Sequence, residues 1–405
     1  MEQSGVEKSS WFPVAGIRVA AVMAGIKKPN RRDLVVFELA EGARTAGVFT
    51  LNRFCAAPVQ VAKKHLDAGA PRYLMINTGY ANAGTGDAGM QDCLATCTTL
   101  ARVAGCQPEQ VLPFSTGVIG QRFPLDAFER GLPDALQNLD IHGWGQAAEG
   151  IMTTDTRPKV ATRRIELAGQ TITVTGISKG AGMIKPNMAT MLGFIATDAK
   201  VSAPLLNKWS RELADQSFNR ITIDGDTSTN DCCMLVATGA SGVAEMDSEN
   251  ADAMLLKQAL EQVYVELAQA IVRDGEGATK FVEVAVDNAA SEEDARTVAE
   301  TVAHSPLVKT ALFASDPNWG RILAAVGRAP IAALDVDRVS IWVGDVQIVA
   351  KGGVADSYTE AQGARVMAEQ DIVIRIDLGA GQSGTTVWTC DFSYDYVKIN
   401  AEYRT

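Results

Sequence analysis

Strand-like and helix-like segments alternate along almost the whole chain, and most links between neighbouring strand segments are too short for a helical crossover. Parallel strands need a crossover of a dozen or more residues, whereas antiparallel neighbours can be joined by a tight turn. The pattern predicts the α/β (α+β) class with a mixed or antiparallel sheet, not a doubly wound parallel one. Strand signals cover Leu34 to Leu39, Ala46 to Leu51, Arg72 to Asn77, Met191 to Ala196, Ile221 to Ile223, Met234 to Ala237 and Phe281 to Val286. Ile165 to Ile177 reads as two strands around the turn Ala168-Gly169-Gln170. Four more strands follow at Val339 to Val343, Val346 to Ala350, Ile372 to Leu378 and Thr385 to Cys390. Helical spacing marks Gly89 to Ala104, Ala203 to Phe218, Asp252 to Val272 and Tyr358 to Glu369. Ser291 opens another helix as its N-cap. The best boundary lies at Asn288-Ala289-Ala290, before a smaller C-terminal α/β lobe.

Composition narrows the functions. With 405 residues, 47% hydrophobic and 21% charged, the chain buries a real core and is not disordered. A net charge of −11 repels phosphate backbones, so no nucleic-acid partner is expected. The densest basic spots, Lys27-Lys28 with Arg31-Arg32 and Arg163-Arg164, read as solvated charges. Seven cysteines lack paired metal-ligand spacing beyond Cys93 and Cys97, which read as buried thiols. An odd cysteine count, no basic leader at Met1-Glu2-Gln3 and no run of about 18 apolar residues predict a cytoplasmic protein without a membrane span. Three histidines argue against a histidine triad or a histidine metal site, and no metal is expected.

The most unusual stretch is Ser178-Lys179-Gly180-Ala181-Gly182-Met183-Ile184-Lys185-Pro186-Asn187-Met188-Ala189-Thr190-Met191-Leu192. Its spacing is not that of a P-loop. On residue types alone it reads as a structural loop. The sharper reading makes Thr190 a nucleophile. A threonine hydroxyl needs a base, and the α-amine freed by cleavage after the small Ala189 has a pKa of ~7.7–8 and could serve. Pro113-Phe114-Ser115-Thr116-Gly117-Val118-Ile119-Gly120 reads as a turn after a strand. Its Thr116-Gly117 step suits an oxyanion hole if an intermediate forms on Thr190. Asp224 to Asp231 has the look of a calcium-loop fragment but lacks the later ligands, so a polar turn is the better reading. Glu276, between two glycines in Asp274 to Lys280, either holds an ammonium group or is a solvated turn. Asp316-Pro317 reads as a helix start with Asp316 as N-cap. Asn77 to Gly84 reads as a binding-loop turn.

In this order, together with Met152-Thr153-Thr154-Asp155-Thr156 and the terminal Asn400 to Thr405, these stretches resemble the ornithine acetyltransferase (ArgJ) family over essentially the whole chain. One departure is Thr78 and Tyr80, where the family more often shows serine and asparagine. The resemblance implies a precursor that cuts itself between Ala189 and Thr190. An α chain of residues 1–189 would stay with a β chain of residues 190–405, whose C-terminal lobe starts at about 288, in an α2β2 assembly. The implied fold is an αββα sandwich similar to DmpA-like self-processing aminopeptidases.

The implied chemistry is ping-pong acetyl transfer from N2-acetyl-L-ornithine to L-glutamate through acetyl-Thr190, in arginine biosynthesis. The α-amine of Thr190 acts as base, and Thr116 and Gly117 form the oxyanion hole. The substrate would be bound by Thr153, Lys179, Thr190, Glu276, Asn400 and Thr405. No cofactor is implied, and acetyl-CoA is left open as a second acetyl donor. Two other readings stand beside this one: a self-processing aminopeptidase or amidohydrolase of similar fold, and a non-catalytic amino-acid-binding protein.

Overall fold

The computed structural model describes residues 11–185, 191–332 and 334–402. They divide into two compact units. The larger takes in the described parts of Met1–Gly180, Pro186–Asn219 and Thr227–Ile271. The smaller takes in those of Ala181–Lys185, Arg220–Asp226 and Val272–Thr405. The C-terminal stretch of the smaller unit therefore starts at Val272, ahead of the expected boundary at about 288. The strand just before the expected boundary, Phe281–Ala289, lies inside the lobe's sheet, paired with strands about a hundred residues later.

The larger unit holds two sheets among its described residues. In the first, β1 (Ile17–Val22), β2 (Leu34–Leu39), β4 (Tyr73–Tyr80) and β5 (Val111–Val118) lie in that order. In the second the order is β3 (Arg44–Phe49), β9 (Cys232–Ala237), β8 (Leu192–Thr197), β7 (Gln170–Lys179) and β6 (Lys159–Leu167). Among the described strands of this unit, β4–β5 and β8–β9 pair in parallel and the rest antiparallel, which is the mixed arrangement expected. The turn between β6 and β7 falls at Ala168-Gly169, both at positive φ (50° and 76°). That is the two-residue geometry favoured by the twist of a hairpin.

The two sheets face each other across one core. Phe37, Ile76 and Phe114 of the first meet Ile177, Phe194 and Met234 of the second. Phe194 stacks on Phe37 at 5.6 Å and meets Phe114 edge-on at 5.1 Å. Each such fully buried side chain contributes about 1.5–3 kcal/mol. Helix α1 (Ala57–Ala68) packs on β5, and α4 (Trp144–Gly150) on β1. The outer face of the first sheet is covered by α2 (Gly86–Ala104) and α3 (Leu125–Gln137), which bury Cys93, Cys97, Leu100, Phe128 and Leu132. Cys93 and Cys97 are free thiols in that layer. The second sheet is covered by α5 (Ala203–Gln216) and α6 (Ala251–Arg273). A Cβ on Gly176 of β7 would meet Val263 and Leu267 of α6 at 3.2 and 3.0 Å. The unit is thus an αββα sandwich. With both faces covered, β2 and β8 carry near-continuous apolar runs instead of alternation.

The smaller unit has one six-stranded sheet in the order β13 (Gly353–Val354), β12 (Val346–Ala350), β11 (Ser340–Val343), β14 (Asp371–Asp377), β10 (Phe281–Ala289) and β15 (Ser383–Cys390). Its core is completed by α7 (Glu292–Ala303), α8 (Pro306–Phe313), α9 (Trp319–Gly327) and α10 (Glu360–Met367). The short α11 (Tyr394–Ala401) follows β15. Ser291 caps α7 as expected, accepting the Asp294 N–H.

Three local expectations change. Residues 113–117 are not a turn but the body of β5, and β5 is an edge strand, where a proline is tolerated. The cap of α9 is Asn318, whose side chain accepts the Arg321 N–H. Asp316 is instead tied back to the end of α8, its N–H donating to Ala311 O. Ile221–Ile223 makes only a single bridge, Ile221 to Trp388.

Candidate active site

The larger unit gathers one group of the expected residues at the ends of β5 and β7. Thr116 and Gly117 sit at positions paired with Thr78 and Gly79 of β4. Gly117 has φ 127°, and a Cβ there would lie 2.3 Å from the Gly79 carbonyl carbon. Only glycine fits this close approach. Asn230 holds the same corner: its amide donates to Ala81 O at 2.6 Å and to Ser115 O at 3.0 Å. Ser115 Oγ donates to Asn77 Oδ1 at 2.6 Å. Across from β5, Lys179 at the end of β7 donates from Nζ to Thr116 Oγ1 at 3.3 Å. Thr116 is thereby an acceptor, and its own hydroxyl proton remains to donate elsewhere.

Behind Lys179 lies Asp155, which sequence reasoning quoted within a motif but did not single out. Its Oδ1 accepts the Gly180 N–H at 2.7 Å and the Lys159 ammonium at 2.6 Å, and its Oδ2 accepts the Thr153 N–H at 2.9 Å. The Lys159 and Asp155 side chains are 1% and 0% exposed, so neither charge is screened by water. Burial alone would push this carboxyl up. The charges of Lys179 and Lys159, with the hydrogen bonds from Lys159 and Thr153, overcome that and hold it at about 2. One buried carboxylate therefore fixes both the half-buried Thr153 and the turn after Lys179. Asp231, also near Lys179, behaves oppositely. Complete burial pushes its carboxyl well up, against a Ser228 hydrogen bond and the Lys179 charge.

The smaller unit gathers the second group. Glu276 is buried, not a solvated turn. Its Oε2 accepts the Asn400 amide at 2.7 Å, and its N–H donates to Ala181 O at 2.8 Å. A Cβ on Gly182 would strike the Glu276 carboxylate at 2.4 Å, which explains a second glycine in this loop. Next to it, Met183 takes the left-handed conformation at φ 56°. Asp224 stabilises that path by accepting the Met183 and Ile184 N–H groups at 2.6 and 2.9 Å. The Asp224 stretch is a polar turn bonded to its own backbone, as expected: Asp226 N–H donates to Asp224 Oδ1. Tyr396 of α11 also bonds Asp224. Burial, then the nearby Asp224 and Glu276 carboxylates, push its phenol well above the ordinary value.

Thr116, Gly117, Thr153 and Lys179 are thus brought together in one unit, and Glu276 and Asn400 in the other. Ala189, Thr190 and Thr405 lie outside the described residues. The residue after Thr190, Met191, is buried, and its carbonyl accepts the Cys232 N–H at the start of β9. Leu192 then pairs with Lys179. Among the described residues no cluster of three or more His, Cys, Asp or Glu could hold a metal ion. No helix among them is long and apolar enough to cross a membrane.

A model of the ArgJ family matches residues 18–405. The chain belongs to the ArgJ family. Among curated relatives, a protein of Pseudomonas fluorescens (strain Pf0-1) named arginine biosynthesis bifunctional protein ArgJ is 57% identical over 394 residues, 97% of each chain. One of the same name from Methylococcus capsulatus is 55% identical over 393 residues, 97% of this chain and 96% of the other. A crystal structure of ArgJ from Bacillus halodurans is 35% identical with a TM-score of 0.50. It covers 51% of this chain and 97% of its own. The family match runs through both units and joins the two residue groups into one ArgJ sequence.

Proposed function

We propose that this chain moves an acetyl group from N2-acetyl-L-ornithine to L-glutamate, as a two-chain enzyme cut between Ala189 and Thr190. One observation carries the reading: the chain matches bifunctional ArgJ proteins of arginine biosynthesis at 57% identity over 97% of both lengths. The coverage figures support the cut. The Bacillus halodurans chain is matched almost end to end yet spans only half of this one, the size a cleaved precursor would leave.

In the precursor, the Thr190 hydroxyl attacks the Ala189 carbonyl, and the peptide becomes an ester. Water splits the ester, leaving the Ala189 carboxylate and a free α-amine on Thr190. That amine then takes the hydroxyl proton as Oγ attacks the acetyl carbonyl. The Thr116 hydroxyl and the Gly117 N–H meet the oxyanion. As the carbon–nitrogen bond breaks, the proton passes to the α-amine of ornithine, which leaves. The amine of glutamate attacks the acetyl ester, and Oγ recovers its proton. Lys179 suits the substrate carboxylate, Glu276 the side-chain ammonium. Thr153, Asn400 and Thr405 are the other substrate-binding positions of this reading. No cofactor enters these steps, and acetyl-CoA serves as a second donor. The cut chains pair as α2β2 in the cytoplasm.

Denaturing intact-mass spectrometry, followed by a transfer assay, tests this. Two chains dividing at Ala189-Thr190, with acetyl passing to glutamate and both lost in Thr190→Ala, are expected. A single uncut chain that is nevertheless active would overturn the nucleophile. Acetate release faster than transfer would make the enzyme a hydrolase.

A further inference from the structure

The loop that carries Glu276 runs from Asp274 to Lys280 and enters β10 at Phe281. Its first half is folded on itself: Gly275 N–H donates to Val272 O at 3.1 Å and Ala278 N–H to Gly275 O at 2.9 Å. Its far end is held by Asp391, a buried side chain just past β15. Asp391 Oδ1 accepts the Thr279 and Lys280 N–H groups at 2.8 and 2.9 Å. Its Oδ2 accepts the Thr279 hydroxyl at 2.6 Å. Hydrogen bonds to an ionised acceptor are roughly twice as strong as neutral ones, so this is a firm tie. The segment that begins at Asp391 leads into α11, which carries Asn400. The loop packs on the start of that helix. A Cβ on Gly277 would lie 2.6 Å from both Ser393 Oγ and the Tyr396 backbone nitrogen. Lys309 steadies the same segment. Its buried ammonium donates to Thr389 Oγ1 at 2.8 Å and to Cys390 O, and its carbonyl accepts the Phe392 N–H at 3.2 Å.

We propose that Asp391 is a positioning residue: it fixes the Glu276 carboxylate, and thereby the length of the ammonium-bearing side chain that the site selects. This selection rests on the proposed role of Glu276 as the partner of the substrate's ammonium. Such a substrate is reached at two points, its acetyl carbonyl and the ammonium at the end of a methylene chain. A chain one methylene short leaves the ammonium and Glu276 unpaired, and one too long must fold back. Discrimination of about 10–200-fold per methylene is the ordinary range. It requires a carboxylate that does not follow the ammonium. A loop tied to Ala181 O alone would follow it, because loops are more mobile than the elements they connect. Asp391 removes that freedom by tying the loop's other end to the segment that bears Asn400. Both groups that meet at Glu276 Oε2, the carboxylate and the Asn400 amide, are then set in one frame.

Three donors that differ by single methylenes test it, with glutamate as acceptor: N2-acetyl-L-2,4-diaminobutyrate, N2-acetyl-L-ornithine and N2-acetyl-L-lysine. Wild type should favour the ornithine donor in kcat/KM by about tenfold or more. Asp391→Ala should cut that preference about tenfold, losing more on the ornithine donor than on the other two. Asp391→Asn should restore it. Its Oδ1 still accepts both N–H groups, and its amide can donate to the Thr279 hydroxyl. Equal losses on all three donors in Asp391→Ala, with the preference unchanged, would make Asp391 merely structural and overturn the inference. An asparagine variant as unselective as the alanine one overturns it too. If Asp391→Ala does not fold, Thr279→Val decides. It removes only the bond to Oδ2 and should cut the preference about threefold. An unchanged preference there overturns the inference. A wild type with no preference among the three donors would end the ammonium role of Glu276, and this inference with it, while leaving acetyl transfer standing. Transfer from none of them would end the proposed function itself.

Discussion

The two units handle buried carboxylates in opposite ways. In the larger unit Asp155 is met by charge: Lys159 lies at 2.6 Å, Lys179 is nearby, and the carboxyl is held at about 2. In the smaller unit Asp224 is met by dipoles, the N–H groups of Asp226, Met183 and Ile184, and burial keeps its carboxyl above the ordinary value despite them. Glu276 there accepts the Asn400 amide and packs closely on Gly182. The first arrangement makes a rigid site with a permanent charge pattern at strand ends. The second makes a site of loops, where one substituted partner is felt at the ligand more than in the fold.

The strongest way to break the comparison is Gly117→Ala. The added Cβ would press on the Gly79 carbonyl at 2.3 Å in a backbone region that disfavours side chains. A displaced oxyanion donor should lower kcat by about 10²–10³-fold. Near-normal kcat would show that the strand end is not the oxyanion site. Asp155→Asn comes next. It removes the carboxylate that the buried Lys159 ammonium meets at 2.6 Å, and breaking a buried pair from one side should cost about 3–5 kcal/mol in urea unfolding. The pH dependence sharpens this. A carboxyl held below its unfolded value stabilises the fold above about pH 3.9 and loses that contribution as pH falls through about 2. The variant should lack that acid limb. A variant as stable as the wild type at pH 7 would mean that dipoles suffice in the larger unit as well.

This asymmetry was hidden from the sequence. The strands that β-branched runs announce, β2, β10 and β15 among them, appear where the pattern puts them, because local alternation and burial agree there. Residues 113–117 were misread because proline and glycine look like a turn until β5 is known to be an edge. The lobe boundary was placed too late because β10 gains its partners from residues 371–390, a long-range fact without a local trace. Thr116, Gly117, Lys179 and Glu276 were legible as unusual residues in glycine-rich settings. Asp155 and Lys159 were not. An aspartate four residues before a lysine is ordinary on a surface, and only the 0% and 1% exposures of the pair make it exceptional.

Smaller effects belong to the smaller unit. Asn400→Ala removes the side-chain donor to Glu276 while leaving the carboxylate in place, so the loss should fall on the ligand's ammonium. The KM for N2-acetyl-L-ornithine should rise about tenfold with kcat and unfolding nearly unchanged, the scale of one hydrogen bond to a charged group. An equal fall in kcat would mean that Asn400 serves the reacting atoms instead.

Asp224→Asn should give the smallest effect, and its sign is opposite to that of Asp155. A carboxyl raised by burial binds its proton more tightly in the folded state than in the unfolded one. Its contribution is therefore fully present below the unfolded value of about 3.9 and is lost as pH rises through the raised folded value. Asparagine keeps one acceptor for the Met183 and Ile184 N–H groups and does not ionise. The stability of wild type relative to Asp224→Asn should decline as pH is raised from 4 to 7, as read by urea unfolding at each pH. A difference that instead grows with pH would mean that Asp224 gains from ionising. It would then have found a cation, and the smaller unit would follow the same rule as the larger.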